Sequence, residues 1–249
     1  MKQYILSVFL ALILLTLTSA SVFSQTEEEL VAKGTTELSA KDYTSAADDF
    51  TKAISVNPVY PDAYYMRGHV NYDQKKYSDA IPDFTKAIEV KPDYTDAYYK
   101  RAESYYNMGS LDLAFSDFQK IIELSPAFAD AYYKMGNIYR KQNSVDKALS
   151  SYQKTSELAP DFTDAYFKMA DLYYLAKTYD KAIDNYTKAI DSDPKFADAY
   201  YKRGDSYENL MKYDQAITDW QKAIELNSVY GASLNSKILN AKTKIKLKS

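Results

Sequence analysis

The chain has 249 residues, 46% of them hydrophobic, and a formal charge of −3 from 31 basic and 34 acidic side chains; it has enough apolar material to fold and no net field favouring nucleic acid or an anionic membrane. It contains no cysteine and one histidine, His69, which excludes disulfides, thiol nucleophiles and cysteine metal sites and leaves little for triad or metal chemistry. The surplus is tyrosine, 26 residues, whose apolar ring and polar tip suit half-buried surfaces.

Residues 1–24 read as an export signal: Lys2, an uncharged apolar stretch from Ile5 to Leu17, then small or polar residues before Thr26 and Glu27. Cleavage after Ala20 and cleavage after Ser24 both place small side chains where the peptidase needs them. The 20 uncharged residues from Tyr4 to Phe23 are also long enough to act as an uncleaved anchor. The protein is therefore expected to be exported, to the periplasm, the cell envelope or the medium.

From Glu27 onward the sequence repeats. Asp-Ala-Tyr at Asp62 returns at Asp96, Asp130, Asp164 and Asp198, 34 residues apart, and Pro58, Pro92, Pro126, Pro160 and Pro194 keep the same beat. Six units follow without insertion: 27–60, 61–94, 95–128, 129–162, 163–196 and 197–230. Each carries two apolar stripes at helical spacing, as in Tyr77, Ala80, Phe84, Ala87 and Ile88, and the polar break between the stripes has room only for a turn, so the helices must be antiparallel. The recurrent proline ends the second helix, and Asp or Thr just before Ala-Tyr is expected to cap the next first helix. Position 8 of the unit is small (Gly34, Gly68, Ala102, Gly136, Ala170, Gly204), position 20 is always Ala, and position 24 is bulky (Phe50, Phe84, Phe118, Tyr152, Tyr186, Trp220), a pattern of small against large. Pro82, close to the start of its helix, should distort it slightly without breaking it.

These features resemble the tetratricopeptide repeat: the 34-residue period, an aromatic at position 4, small residues at 8 and 20, an aromatic at 24 and proline at 32, over residues 27–230. Position 4 is Tyr where the family usually has Trp, Leu30 stands there in the first unit, and Ser228 replaces the last proline. The expected fold class is all-α, a right-handed superhelical solenoid of six antiparallel helix pairs. A capping helix is expected over 231–249, with Leu234, Ile238, Ala241 and Ile245 covering the last repeat and Lys237, Lys242, Lys244, Lys246 and Lys248 filling its other sides. Contact with a membrane is expected only through an uncleaved N-terminus or this basic tail.

Position 7, usually Leu in the family, reads Lys33, Arg67, Arg101, Met135, Met169 and Arg203, while position 23 reads Asp49, Asp83, Asp117, Ser151, Asn185 and Asp219. The carboxylate is present wherever position 7 is basic, so pairs Lys33–Asp49, Arg67–Asp83, Arg101–Asp117 and Arg203–Asp219 are expected inside each unit.

There is no glycine-rich phosphate loop, no His–Cys pair and no metal-ligand spacing. Ser144 and Lys147 have the spacing of a serine–lysine nucleophile motif but coincide with a helix start, and the sequon at Asn185 falls inside an expected helix. No catalysis and no cofactor are expected. The resemblance implies that first helices line a concave binding face. The candidate peptide-groove residues on it are Tyr65, His69, Tyr72, Tyr99, Tyr106, Tyr133, Arg140, Phe167, Tyr174 and Tyr201. Aromatic anchors ringed by the carboxylates of position 2 suit a peptide with apolar and basic side chains, and those carboxylates disfavour the acidic tail held by chaperone-binding members of the family. The expected function is a noncatalytic adaptor binding a partner protein. The same tyrosines suit a periplasmic holdase or assembly factor, or a small ligand or glycan stacking on them. Aromatics at positions 5 and 12 have a competing role as half-buried packing.

Overall fold

The computed structural model describes residues 25–247; the export signal expected at 1–24 and the terminal Lys248 lie outside them. Among the described residues every regular element is helical. The described residues form two compact units, divided between Gly109 and Ser110. In the first, α1 (Glu27–Ser39) and α2 (Tyr43–Val56) form one antiparallel hairpin, α3 (Pro61–Asp73) and α4 (Tyr77–Val90) a second, and α5 (Thr95–Asn107) packs on α4. In the second, α6 (Leu111–Leu124) packs on the hairpin of α7 (Ala129–Lys141) and α8 (Val145–Leu158). The hairpins of α9 (Thr163–Leu175) with α10 (Tyr179–Ser192) and of α11 (Ala197–Asn209) with α12 (Tyr213–Leu226) follow, then a 3-10 turn over Ser228–Tyr230 and α13 (Gly231–Lys246). Within each unit the second helix of one pair lies against the first helix of the next, so no pair has to shelter its apolar side alone.

The packing is the one the spacing calls for. Phe50, Phe84, Phe118, Tyr152, Tyr186 and Trp220 are fully buried, as are the position-20 alanines, and each such aromatic contributes about 1.5–3 kcal/mol of burial. At Gly204 an added Cβ would stand 2.6 Å from the Trp220 ring, which shows how closely the indole lies on the backbone. Helix α4 runs unbroken through Pro82 with the same 14 residues as the other second helices of the array.

The hairpin turns share one device. The fifteenth residue of every repeat has a left-handed backbone: Lys41, Lys75, Asn143, Lys177 and Met211 have φ between 57° and 61°, and Gly109 has φ 81°. Only the third repeat places at this point the residue that adopts it without cost.

The expected capping of first helices is not what the structure does. Helices α3, α5, α7, α9 and α11 start two residues ahead of Ala-Tyr, and their N-cap residues are the aromatics Tyr60, Tyr94, Phe128, Phe162 and Phe196, with no side-chain cap bond. Each Asp of position 2 therefore sits inside the first turn, where its charge favours the positive end of the helix. Asp62 and Asp198 each gain a further bond, since the Tyr94 hydroxyl donates to Asp62 at 2.7 Å and the Tyr230 hydroxyl donates to Asp198.

Three of the expected ion pairs are present. Lys33 reaches Asp49 at 2.5 Å, Arg67 grips Asp83 with two bonds of 2.9 and 2.7 Å, and Arg203 grips Asp219 with two of 2.7 and 2.8 Å. Arg101 and Asp117 belong to different units, and their pairing stays an expectation. The arginines also reach back one repeat: Arg67 to Thr51 at 3.2 Å, Arg101 to Thr85 at 3.1 Å and Arg203 to Thr187 at 2.9 Å. Position 25 is thus Thr ahead of each arginine, and Gln119 and Gln153 ahead of the two methionines. The guanidinium groups of Arg67 and Arg203 each tie three helices together, a role the two-residue reading of the sequence did not contain.

In α13, Leu234 and Ala241 are fully buried, Ile238 nearly so and Ile245 half-buried. Not all of its lysines face solvent: Lys237 extends to Asp205 at 2.6 Å and Lys244 to Glu208 at 3.4 Å. No helix among the described residues is long and apolar enough to cross a membrane.

Candidate functional site

Positions 2, 5, 9 and 12 fall on one side of each first helix because steps of three and four residues keep one bearing on a helix. In the first unit this side carries Tyr65, His69, Tyr72, Tyr99 and Tyr106; in the second it carries Tyr133, Arg140, Phe167, Tyr174 and Tyr201.

Four position-5 rings also pack against rings of their own repeat. Tyr65 lies between Phe84 (ring centroids 5.9 Å apart) and Tyr94 (5.2 Å); Tyr133 between Tyr152 (5.7 Å) and Phe162 (4.9 Å); Phe167 between Tyr186 (5.6 Å) and Phe196 (4.8 Å). Tyr201 meets Tyr230 at 5.3 Å. The position-24 ring of its own repeat and the position-34 ring that starts the next helix clamp Tyr65, Tyr133 and Phe167. Phe167 is only 8% exposed and supports the face from below, whereas Tyr65, Tyr133 and Tyr201 keep part of the ring accessible. Burial pushes the Tyr65 phenol up to about 12.

Position 9 is also engaged. Asn137 accepts the Tyr152 hydroxyl at 2.9 Å, Asp171 the Tyr186 hydroxyl at 2.7 Å, and Asp205 the Trp220 indole N–H at 3.0 Å. Sequence reasoning missed these bonds, although the signal was there: Asn or Asp stands fifteen residues before each position-24 aromatic with a polar tip, and Thr35, His69 and Glu103 precede the three phenylalanines. His69 rests between Tyr65 and Tyr72, centroids 6.0 and 6.1 Å away, 3.5 Å from Asp73 and with no hydrogen bond at Nδ1 among the described residues. Its burial lowers the imidazole's affinity for a proton, only partly offset by Asp73.

Position 12 adds the half-buried rings of Tyr72, Tyr106 and Tyr174. The Tyr72 hydroxyl donates to Glu103 at 3.0 Å, and Lys100 stands 4.4 Å over the ring while bonding the same carboxylate at 3.2 Å. Tyr174 repeats the motif, with Lys202 at 5.6 Å over its ring and Tyr179 edge-on at 5.6 Å, as Tyr77 is edge-on to Tyr72 at 5.5 Å. Tyr99 and Tyr106 are half-buried and Arg140 is exposed. The carboxylates of Asp96 and Asp164, at position 2, are exposed as well. Nothing in this arrangement pairs a nucleophile with a base. It offers rings, lysine-capped, beside free carboxylates.

Sequence models described as tetratricopeptide repeat match residues 31–87, 96–127, 118–150 and 197–228, and a further TPR repeat model matches 68–109, 136–177 and 170–210. No curated protein matches the chain. Among solved structures, YrrB, described as a TPR protein with an unusual peptide-binding site, is 25% identical and superposes with TM-score 0.62 over 77% of this chain and 98% of its own. The protein MamA is 26% identical, with TM-score 0.61 over 69% of this chain and 94% of its own. PilF of Pseudomonas aeruginosa, 16% identical, shares the fold with TM-score 0.71 over 87% of this chain and 97% of its own. The 34-residue period, the helix pairs that follow it and the run of matches from residue 31 to residue 228 together make this chain a member of the tetratricopeptide repeat family, a scaffold for protein interaction.

Proposed function

We propose that the protein is an exported, noncatalytic adaptor that holds a segment of another polypeptide against the first-helix faces of its repeats. The observation that carries this reading is the motif at Tyr72 in the first unit and Tyr174 in the second, a half-buried ring capped by a lysine from the following first helix, with Asp96 exposed in the one unit and Asp164 in the other. Rings offer desolvatable area at small entropic cost, and free carboxylates select what lies beside them, so the segment that fits carries apolar side chains flanked by basic ones. The peptide-binding site described for YrrB supports a peptide as the ligand class.

Affinity capture from cells that make the protein tests this, comparing wild type with Tyr72→Ser combined with Tyr174→Ser, and using helical circular dichroism to establish that the variant is folded. One dominant partner, lost by the folded variant, is the expected result; undiminished capture by that variant overturns the reading. Export rests on the sequence of residues 1–24, and N-terminal sequencing of the mature chain tests it: a start at Ser21 or Gln25 is expected, and a start at Met1 contradicts cleavage.

A further inference from the structure

The two repeats that lack the position-7 to position-23 ion pair are adjacent, and both lie in the second unit. Met135 and Ser151 stand in its place in the fourth repeat, Met169 and Asn185 in the fifth. Methionine with a short uncharged side chain gives these two places an apolar floor where the sixth repeat has a guanidinium and a carboxylate. A hollow of about 520 Å³ lies over Met135, between Tyr132, Tyr139, Lys147 and Lys154. A second, of about 340 Å³, lies over Met169, between Tyr166, Tyr173 and Lys188. Gln153 and Glu157 line both, so the two are neighbours. In the sixth repeat the equivalent place is a hollow of about 320 Å³ between Tyr207, Asp214 and Asp219, but its floor is Arg203, whose charge Asp219 and Thr187 satisfy, so the lining there is ionic where the fourth and fifth repeats present methionine.

Positions 4, 7 and 11, which form the tyrosine and methionine lining, lie about a third of a turn round the first helix from positions 5, 9 and 12. The trough is therefore separate from the face of the proposed adaptor site. Its charge is of the opposite sign. Three lysines and one glutamate line it, and Glu157 is already paired with Lys154 at 3.3 Å. Lys147 and Lys188 rest on tyrosine rings, 5.5 Å from the Tyr139 centroid and 5.8 Å from that of Tyr166, and neither has an ion pair among the described residues. Beyond Lys188 the flank turns acidic at Asp161 and Asp191, which marks where the cationic stretch ends.

We propose that this trough is a second binding site, for a peptide segment in which aromatic or long apolar side chains alternate with carboxylates. The apolar side chain lies over Met135 or Met169 against the tyrosines, and the carboxylates meet Lys147 and Lys188, which have no ion pair among the described residues to give up on binding. Duplication of the hollow in neighbouring repeats suits an extended segment that presents the same chemistry twice.

The test is fluorescence anisotropy of the full chain with a short labelled peptide alternating Phe and Asp, against matched Phe–Asn and Phe–Lys peptides. The informative variant restores what the sibling repeats contain: Met135→Arg with Ser151→Asp and Met169→Arg with Asn185→Asp. Filling the hollows should weaken the Phe–Asp peptide at least about tenfold, and Lys147→Gln with Lys188→Gln about fivefold, while Tyr72→Ser with Tyr174→Ser leaves it unchanged. The lysine variant decides the matter should the filled variant fail to fold. No binding of the Phe–Asp peptide by wild type, equal binding of the Phe–Lys peptide, or full affinity in the folded filled variant would overturn the proposal.

Discussion

The Tyr186 hydroxyl donates to the Asp171 carboxylate at 2.7 Å, joining the bulky residue at the centre of its repeat to the face of the first helix fifteen residues earlier. The Tyr152–Asn137 and Trp220–Asp205 bonds repeat the relationship, and the repeats with phenylalanine at that place do without it. Tyr186→Phe removes the donor and leaves a half-buried carboxylate facing an apolar ring, at a cost of about 1.5–3 kcal/mol. Adding Asp171→Thr recreates the first repeat's combination of Thr35 and Phe50 and should recover more than half of that loss, as read by urea unfolding.

The Arg203, Asp219 and Thr187 contacts give a second prediction. Arg203→Met strands a carboxylate that is 4% exposed and should cost about 3 kcal/mol, whereas Arg203→Met with Asp219→Asn copies the fifth repeat and should cost clearly less. Equal losses in the single and double variants, measured in a double-mutant cycle, would contradict direct pairing.

Much of this was legible in the sequence because the repeat writes each relationship several times. The 34-residue period gave the helix pairs, and the parallel switch at positions 7 and 23 gave the ion pairs at Asp49, Asp83 and Asp219. What escaped was of two kinds. The threonine that each arginine reaches, Thr51, Thr85 or Thr187, belongs to the preceding repeat, so a comparison confined to one repeat could not find it. The N-caps were misplaced because an Asp two residues inside a helix and an Asp at its cap look alike in a sequence, and the aromatic at position 34 starts the helix by packing on position 5 rather than by a side-chain bond. The candidate face was readable as a set of positions but not as a set of roles: Phe167 and Tyr133 look equivalent in the sequence, yet the structure buries the first and leaves part of the second accessible.

The left-handed turn residues predict stabilisation by a surface change. Met211 is exposed and holds φ 58°, a strain that glycine does not feel. Met211→Gly should raise stability by about 0.5–1 kcal/mol after the greater freedom of glycine in the unfolded chain is counted, seen as a higher thermal midpoint. The same change at Gly109 read in reverse, Gly109→Val, should lower it.

Alkaline pH should unfold the protein. Burial raises the Tyr65 phenol to about 12, and burial also raises Tyr72, Tyr94 and Tyr186, each of which donates to a carboxylate. An unfolded tyrosine ionises near 10. Above about pH 10 the unfolded chain therefore loses protons that the folded chain keeps, and stability, fully present below that pH, falls as pH rises toward 12. Absorbance of tyrosinate should show these phenols titrating late and together with the loss of helix.

The account's central claim is that a partner polypeptide lies along the first-helix face, and site-specific photocrosslinking in cells tests it most directly. A photoreactive phenylalanine analogue placed at Tyr174 is compared with one at Leu239, which is 68% exposed on α13. A discrete adduct with one polypeptide from position 174 and none from position 239 is the predicted result. No adduct at 174, or the same adducts from both positions, would contradict it.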